Sequence, residues 1–460
     1  MFFIRYLVFQ KFGAVLVEHL LLVVCALLNM SHLYPAPFSA AHLAGSLSRA
    51  IAVAVTFQGL LHLNDGYDFG TKFWARKFIA GFGKAILLAC AVVFLLNLMI
   101  PGLSGASSDL ARMLISIPLI LALWHWLLRI HFDVSARRRK ILIMGTGPLA
   151  RQLAREILRH REYGLSICGF VDDDPSLLGV SIVNPKVVGL TKDLRDVASD
   201  YGVDNVAVEI RDRRGRLPVD DLLELKMQGV RVEEATSIYE RITGKIAIEN
   251  LKPSWIVFGD GFEVSRAIAI QKQIISFCGS LFLLLLSLPL FPLIALLIKL
   301  DSRGPVFHRQ ERVGENGKTF TIFKFRSMRQ DAERETGAVW AKVGDKRITR
   351  VGKYLRRLRL DELPQLINVF KGDMSLVGPR PERPEFVKEL SNTIPFYYLR
   401  HSVKPGLTGW AQINFRYGSS LEDTIEKLQY DLFYIKNVSF ALDLLIILNT
   451  IKTVLVRQGS

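Results

Sequence analysis

The sequence predicts a membrane protein of mixed α and α/β class. It has a four-helix transmembrane bundle, a Rossmann-like α/β domain, and a re-entrant membrane helix hairpin leading into a mainly helical domain. Three observations predict it. Four apolar blocks fill the first 130 residues, a strand–glycine turn–helix pattern begins at Lys140, and a fifth apolar block broken by two prolines precedes a basic segment. The expected regions are 1–135 for the bundle, 136–260 for the α/β domain and 261–460 for the remainder, with the re-entrant helix at about 274–298.

Composition bounds the answer. At roughly 150 residues per domain, 460 residues allow about three domains. Half the residues are hydrophobic, so the chain can bury enough surface to offset its conformational entropy, and disorder is excluded. A net charge of +16 suits a protein facing anionic lipid, phosphate or nucleotide. Cys25, Cys90, Cys168 and Cys278 show neither paired nor metal-ligand spacing, which argues against a disulfide scaffold and a zinc site.

The apolar blocks lie at about 12–33, 43–63, 79–100 and 113–130, each near the ~20 residues needed to cross a bilayer core. Glu18, His19, Arg49 and Lys84 interrupt them, and such residues snorkel or face the bundle interior. Arg5 and Lys11 precede the first block, Lys72, Arg76 and Lys77 lie in the second connection, and Arg137 to Lys140 follow the fourth block. The first and third connections, about 34–42 and 101–111, hold no Lys or Arg. The positive-inside bias therefore puts both ends of the bundle in the cytoplasm. A cleaved signal peptide is not expected, because the first block is long and three more follow.

From Lys140 the pattern is α/β. Ile141–Met144 reads as a buried strand, Gly145-Thr146-Gly147-Pro148-Leu149-Ala150 as a turn, and Ala150–Arg159 as an amphipathic helix. That order suits a dinucleotide-binding turn, with Gly145 and Gly147 letting backbone approach a phosphate. A second strand, Ile167–Val171, ends at Asp172, where a ribose-binding acid would sit. The same glycines serve helix–strand packing without any ligand, so both readings stand. None of the twelve tyrosines is followed four residues on by lysine, which disfavours a membrane-bound NAD-dependent sugar-nucleotide dehydratase or epimerase.

The fifth block, Ile274–Ile298, carries Pro289 and Pro292. Each proline removes a backbone donor and clashes with the preceding turn, so a kink is expected. Arg266 and Lys272 lie before the block and Lys299, Arg303 and Arg309 after it. A helix that enters, breaks and returns keeps both basic flanks cytoplasmic, whereas a straight span strands one of them.

Between Lys299 and Arg400 stand 22 Lys/Arg against 13 Asp/Glu. No helix-turn-helix, RNP-type or zinc-finger pattern accompanies them, so nucleic acid is not the expected partner. Membrane lipid is, because the basic and apolar residues of 347–360 alternate at helical spacing. This stretch runs into Asp361-Glu362-Leu363-Pro364. Asp361 suits a helix cap, and it equally suits a nucleophile or a magnesium ligand, since nearby arginines and a helix N-terminus keep a carboxylate ionised. Arg380, between Pro379 and Pro381, reads as a phosphate clamp; Lys324 and Arg326 share a strand face; Lys404–Trp410 is a glycine-rich turn.

In order, Gly304–Phe307, Gln310, Arg312, Gly314, Lys324–Met328, Leu360–Gln365, Gly372–Ser375, Gly378–Glu382 and Lys404–Gln412 resemble the bacterial sugar-transferase family, the monotopic polyprenyl-phosphate phosphoglycosyl transferases. The resemblance spans about 264–460, and the bundle with its α/β domain resembles the long form, typified by undecaprenyl-phosphate glucose or galactose phosphotransferases. Pro253-Ser254-Trp255 with Asp260-Gly261-Phe262 resembles the exopolysaccharide branch associated with PEP-CTERM-type gene clusters. The resemblance implies an enzyme of the bacterial inner membrane with cytoplasmic soluble domains. It would transfer sugar 1-phosphate from a UDP-sugar to polyprenyl phosphate through an aspartyl-phosphosugar, releasing UMP, as the first membrane step of polysaccharide synthesis. It implies Asp361 as nucleophile and Glu362 as its partner, both holding Mg²⁺, with Lys324, Arg326, Arg356, Arg380 and Asp431 binding substrate. A homodimer is a further implication. One departure is Leu288 before Pro289, where small family members carry serine. A competing class is a non-catalytic scaffold for polysaccharide assembly, with the dyad serving only as a cap.

Overall fold

The computed structural model describes residues 2–30, 40–68, 73–100, 107–131, 138–160, 164–209, 217–248, 261–262, 265–330, 345, 347–415 and 420–455. Lys72, Arg137, Pro253, Ser254, Trp255 and Asp260 lie outside the described residues, as do the side chains of Arg5 and Lys11. The chain forms two compact units, Met1–Ile238 and Tyr239–Ser460.

The first unit opens with four long helices, α1 (Phe2–Asn29), α2 (Ala40–Leu63), α3 (Arg76–Met99) and α4 (Ser107–His131). Small and medium side chains fill their shared interior, among them Ala26, Ala50, Ala54, Ala85, Ala89 and Ile117. Phe57, Leu22, Leu61 and Met113 are buried with them, but many other leucines face outward: Leu16 is 70% exposed, Leu87 74% and Leu119 65%. Water would penalise so much open leucine, whereas lipid does not, and close helix approach through small residues is how membrane bundles pack. Among the described residues, four segments are long and apolar enough to cross a membrane: Ala44–Leu63, Arg76–Met99, Ser108–His131 and Arg266–Ser287. Gly13–Asn29 of α1 is apolar but shorter.

Of the charged interruptions, Lys84 is exposed and Arg49 half-buried, whereas Glu18 joins a buried polar cluster. Glu18 is 1% exposed; its Oε1 accepts from Tyr67 Oη at 2.5 Å and from Gln58 Nε2 at 3.5 Å. Its Oε2 lies 3.1 Å from His125 Nε2. Arg129 Nη1 meets His125 Nδ1 at 3.0 Å. Guanidinium only donates, so Nδ1 accepts and the imidazole proton sits on Nε2, facing Glu18. Arg129 Nη2 also donates to Gly66 O at 3.0 Å, and its guanidinium lies 3.5 Å over the Phe78 ring.

The rest of the first unit is a five-stranded parallel sheet with helices between its strands. The elements are β1 (Arg139–Met144), α5 (Pro148–Arg159), β2 (Leu165–Asp172), β3 (Val187–Leu190), α6 (Leu194–Tyr201), β4 (Asn205–Val208), α7 (Val219–Met227) and β5 (Arg231–Glu234). The strand order is β3-β2-β1-β4-β5. Ile141–Met144 in the middle are fully buried, as parallel strands covered on both faces must be.

The chain passes through α8 (Ala235–Thr243) into the second unit, where the fifth apolar block forms α9 (Arg266–Ser287) and α10 (Leu290–Asp301). The helix breaks at Leu288-Pro289, the position the proline chemistry predicts. Both ends are tied to the same small domain. Lys272 Nζ donates to Val377 O at 2.8 Å and pairs with Asp443 at 3.0 Å, while Asp301 Oδ2 accepts from Val351 N at 2.9 Å. Its other face, with Phe282, Leu285 and Leu286, is exposed. There follow the antiparallel pair β6 (Phe307–Val313) and β7 (Thr319–Phe325), then α11 (Arg350–Arg357), α12 (Gln365–Lys371), β8 (Ser375–Val377) and α13 (Pro384–Thr393). The chain continues with β9 (Gly406–Thr408), α14 (Trp410–Asn414), α15 (Leu421–Lys436) and α16 (Phe440–Leu455). β8 and β9 pair in parallel. Ile294, Ile298, Phe325 and Leu355 close a core between α10, β7 and α11.

Candidate active site

The acidic dyad sits where two helices meet. α11 starts at Thr349, whose hydroxyl caps Gly352 N at 3.0 Å, and it lies so close to the strand end that a Cβ on Gly352 would stand 2.0 Å from Ser327 O. After α11 the chain turns through Arg359, a non-glycine residue in the left-handed region at φ 57°, into a short 3-10 turn, Leu360–Glu362. Such conformations persist where surrounding structure enforces them, commonly at functional sites. The reversal buries both acids: Asp361 and Glu362 are each 8% exposed. α12 follows with Pro364 at its N-cap position and no side-chain cap bond, so the capping role open to Asp361 is not used.

The two carboxylates have opposite surroundings. Glu362 Oε1 accepts from Arg380 Nη2 at 2.6 Å and lies 3.7 Å from Lys324 Nζ, and Oε2 lies 3.6 Å from Arg359 Nη1. Burial works against its charge, but the Arg380, Lys324 and Arg359 cations outweigh burial and hold Glu362 well below the usual carboxylate range. Asp361 makes no hydrogen bond or ion pair among the described residues. Burial, followed by the neighbouring Glu362 charge, pushes its carboxyl up against the pull of Lys324, Arg356 and Arg380. Two partial complements stand near it in sequence, equally unused: Arg356 Nη1 and Gln365 Nε2 are buried with no hydrogen-bond partner among the described residues. Burial lowers Lys324 to about 8, with Glu362 opposing that fall.

The expected site residues divide accordingly. Lys324, Glu362 and Arg380 meet directly; Asp361 and Arg356 share their electrostatic field. Arg326 points elsewhere, donating to Ser302 O at 2.7 Å and Arg303 O at 2.8 Å, where it ties the end of α10 to β7. Asp431 on α15 is 2% exposed and accepts from Arg400 Nη2 at 2.9 Å. In the first unit, Asp172 accepts from Thr146 Oγ1 at 2.8 Å. Gly145 has φ 99°, and a Cβ on Gly147 would stand 2.4 Å from both carboxylate oxygens of Glu209. That glycine turn therefore packs around an acid at the end of β4.

Sequence reading missed Asn368. Wholly buried on α12, it donates from Nδ2 to Thr321 O at 2.8 Å and accepts at Oδ1 from Phe323 N at 3.1 Å. Its amide imitates a neighbouring strand and sets β7, hence Lys324, in register with the helix that follows the dyad. An asparagine in a helix with an apolar face is the only signal that marks it.

A divalent cation fits this donor set. An unpartnered, buried carboxylate calls for positive charge, and Mg²⁺ commonly takes one or two carboxylates with waters and substrate phosphates. Among the described residues no cluster of three or more His, Cys, Asp or Glu forms a protein-only cage; Asp361, with its unpartnered carboxylate, would be the first ligand and Glu362, already held by three cations, its neighbour.

Residues 267–457 match the family model described as bacterial sugar transferase. The chain is 42% identical over 200 residues to a UDP-glucose:undecaprenyl-phosphate glucose-1-phosphate transferase of Caulobacter vibrioides, covering 42% of this chain and 73% of that protein. The chain belongs to the bacterial sugar transferase family. A UDP-N-acetylgalactosamine-undecaprenyl-phosphate N-acetylgalactosaminephosphotransferase of Aeromonas hydrophila is 44% identical over 231 residues, 50% of this chain and 54% of its own. An undecaprenyl-phosphate glucose phosphotransferase of Komagataeibacter xylinus is 35% identical over 332 residues, 70% of this chain and 60% of its own. The chain thus spans between half and three fifths of the length of these two relatives.

Proposed function

We propose that the protein transfers a sugar 1-phosphate from a UDP-sugar to a polyprenyl phosphate at the cytoplasmic face of the bacterial inner membrane. The observation that carries this is the asymmetry of the dyad: Glu362 saturated by three cations, Asp361 buried and unpartnered. An acid held this way is an available nucleophile with phosphate-binding charge already assembled beside it. The names of the relatives supply the chemistry of the acceptor and the class of donor.

The reaction takes two displacements. An Asp361 oxygen attacks the β-phosphorus of the donor, the bond from that phosphorus to UMP breaks, and an aspartyl-phosphosugar forms. A phosphate oxygen of the polyprenyl phosphate then attacks the same phosphorus, freeing Asp361 and leaving a polyprenyl-diphosphate sugar. Arg380 and Lys324, already at Glu362, and Arg356, with its unused Nη1, neutralise phosphate charge as it shifts. Asp361 and Glu362 would hold Mg²⁺, which when bound would supply further neutralisation of the diphosphate charge. One site serves both substrates in turn, which gives ping-pong kinetics.

The broken helix α9–α10 enters and leaves the membrane on one side. Support comes from its two ends, both bonded to the same domain, and from the leucines and Phe282 exposed between them. The parallel order β3-β2-β1-β4-β5 supports a Rossmann-like reading of the sheet, separate from the bundle before it.

The test is UMP release from a panel of UDP-sugars with polyprenyl phosphate. Wild type should release UMP, and Asp361→Asn should not; donor alone should leave a phosphosugar adduct on the peptide spanning 360–371. Full turnover by Asp361→Asn would refute the nucleophile. Cysteines placed at Arg266 and Arg303 should both label from the cytoplasm.

A further inference from the structure

The turn that carries Arg380 is short of amide donors. Prolines at 379 and 381 have no N–H, which leaves carbonyls as the main backbone anchors around Arg380. Four consecutive carbonyls are in fact each held by a different donor. Pro379 O accepts from Gly406 N at 2.9 Å, and Glu382 O accepts from Val313 N at 2.9 Å. Pro381 O accepts from Arg312 Nη1 at 3.0 Å, and Arg380 O from Arg400 Nη2 at 3.0 Å.

Arg400 is the deepest of these anchors. It is 7% exposed; the same Nη2 also donates to Asp431 Oδ2 at 2.9 Å, and Nη1 donates to Tyr397 Oη at 2.5 Å. A buried guanidinium with a carboxylate partner is costly to build and costly to break, so it is a rigid mount. What it mounts is one carbonyl, that of the residue whose side chain holds Glu362 at 2.6 Å.

We propose that Arg400, braced by Asp431 and Tyr397, is a positioning residue that sets the Arg380 guanidinium on Glu362. This rests on the transferase reading. It gives Asp431 a role one step removed from substrate: Asp431 orients Arg400, Arg400 fixes the Arg380 carbonyl, and Arg380 holds the dyad. Arg312 performs the same office for the next carbonyl, with Gln310 Oε1 accepting from its Nε at 3.1 Å.

The experiment is a double-mutant cycle on UMP release in full-length protein in membranes. Arg400→Lys keeps the charge and loses the planar fork whose Nη2 reaches Asp431 and the carbonyl while Nη1 reaches Tyr397. It should lower kcat/KM by roughly 10- to 100-fold in the wild-type background and by less than about 2-fold when Arg380→Ala is already present. The loss should fall on kcat, since the dyad is misaligned rather than the donor site closed. Equal losses in both backgrounds would overturn the proposal, because a residue acting by direct contact or through global stability adds its effect independently. Should Arg400→Lys not fold, Tyr397→Phe, which removes one hydroxyl, carries the same comparison. A structure of the variant gives a readout independent of turnover: Arg380 should leave Glu362, and an unchanged 2.6 Å contact would refute the mount. If wild type itself releases no UMP from any donor, the transferase reading fails, while that structural comparison still decides the positioning role.

Discussion

Glu18 in the helix bundle and Asp361 in the second unit are both buried carboxylates on apolar scaffolds, yet their surroundings are opposite. Glu18 takes contacts from Tyr67, Gln58 and His125, and the chain of partners runs on to the Arg129 cation. Asp361 has no such partner, and Arg356 Nη1 and Gln365 Nε2 are equally unused. A carboxylate paired within the fold makes packing specific, whereas one left without a partner costs stability until something binds. The difference separates a buried charge that the fold itself pairs from one that it leaves open.

The largest expected effect tests the open side. Asp361→Asn should cut UMP release by more than about 10³-fold, as loss of a nucleophile does, without lowering thermal stability, because a penalised buried charge has been removed. A destabilised variant would show Asp361 to be a structural acid like Glu18. Glu362→Gln comes next, at roughly 10²-fold in kcat, since three cations lose their counter-charge and the dyad its alignment; its stability should fall as well. An effect confined to stability would remove Glu362 from the chemistry.

Smaller and of opposite kind is Glu18→Gln, which should weaken the bundle by about 1–2 kcal/mol in detergent unfolding while leaving UMP release per folded molecule near wild type. Lost turnover at unchanged stability would break the comparison. The smallest effect concerns His401, whose imidazole burial and then the Arg400 charge lower from 6.5 to about 4. The folded chain refuses a proton that the unfolded chain accepts, so this stability is complete above 6.5 and is lost as pH falls toward about 4. His401→Gln should flatten the fall of Tm across that window relative to wild type, and an unchanged slope would show the imidazole to be solvated.

Much of this was legible in one dimension, and the gaps have physical causes. Helix length and proline position read directly, because hydrophobic spacing and a missing N–H act locally. The parallel sheet read from a buried strand, a glycine turn and a following helix. The sequence marks Arg380 as a phosphate clamp between prolines and Lys324 as a cation on a strand face, and the structure brings both to Glu362. Strand periodicity groups Arg326 with Lys324, but β7 ends at Phe325 and the Arg326 side chain leaves for the end of α10. Asn368 and Arg400 were passed over, because each acts on a backbone group remote in sequence. Glu209 escaped for the same reason: only strand order brings it against the glycine turn.

The amino-acid sequence alone determined which segments enter lipid, where the membrane helix breaks, and that an acidic pair follows a basic helix. Those properties depend on near neighbours, through hydrophobic spacing, missing donors and local charge. Only the tertiary structure decided which acid is neutralised and which is left open. That choice depends on the left-handed turn at Arg359 and on cations delivered from β7 and from the Pro379–Pro381 turn. Electrostatic pairing acts over a few ångströms of space and takes no account of separation along the chain.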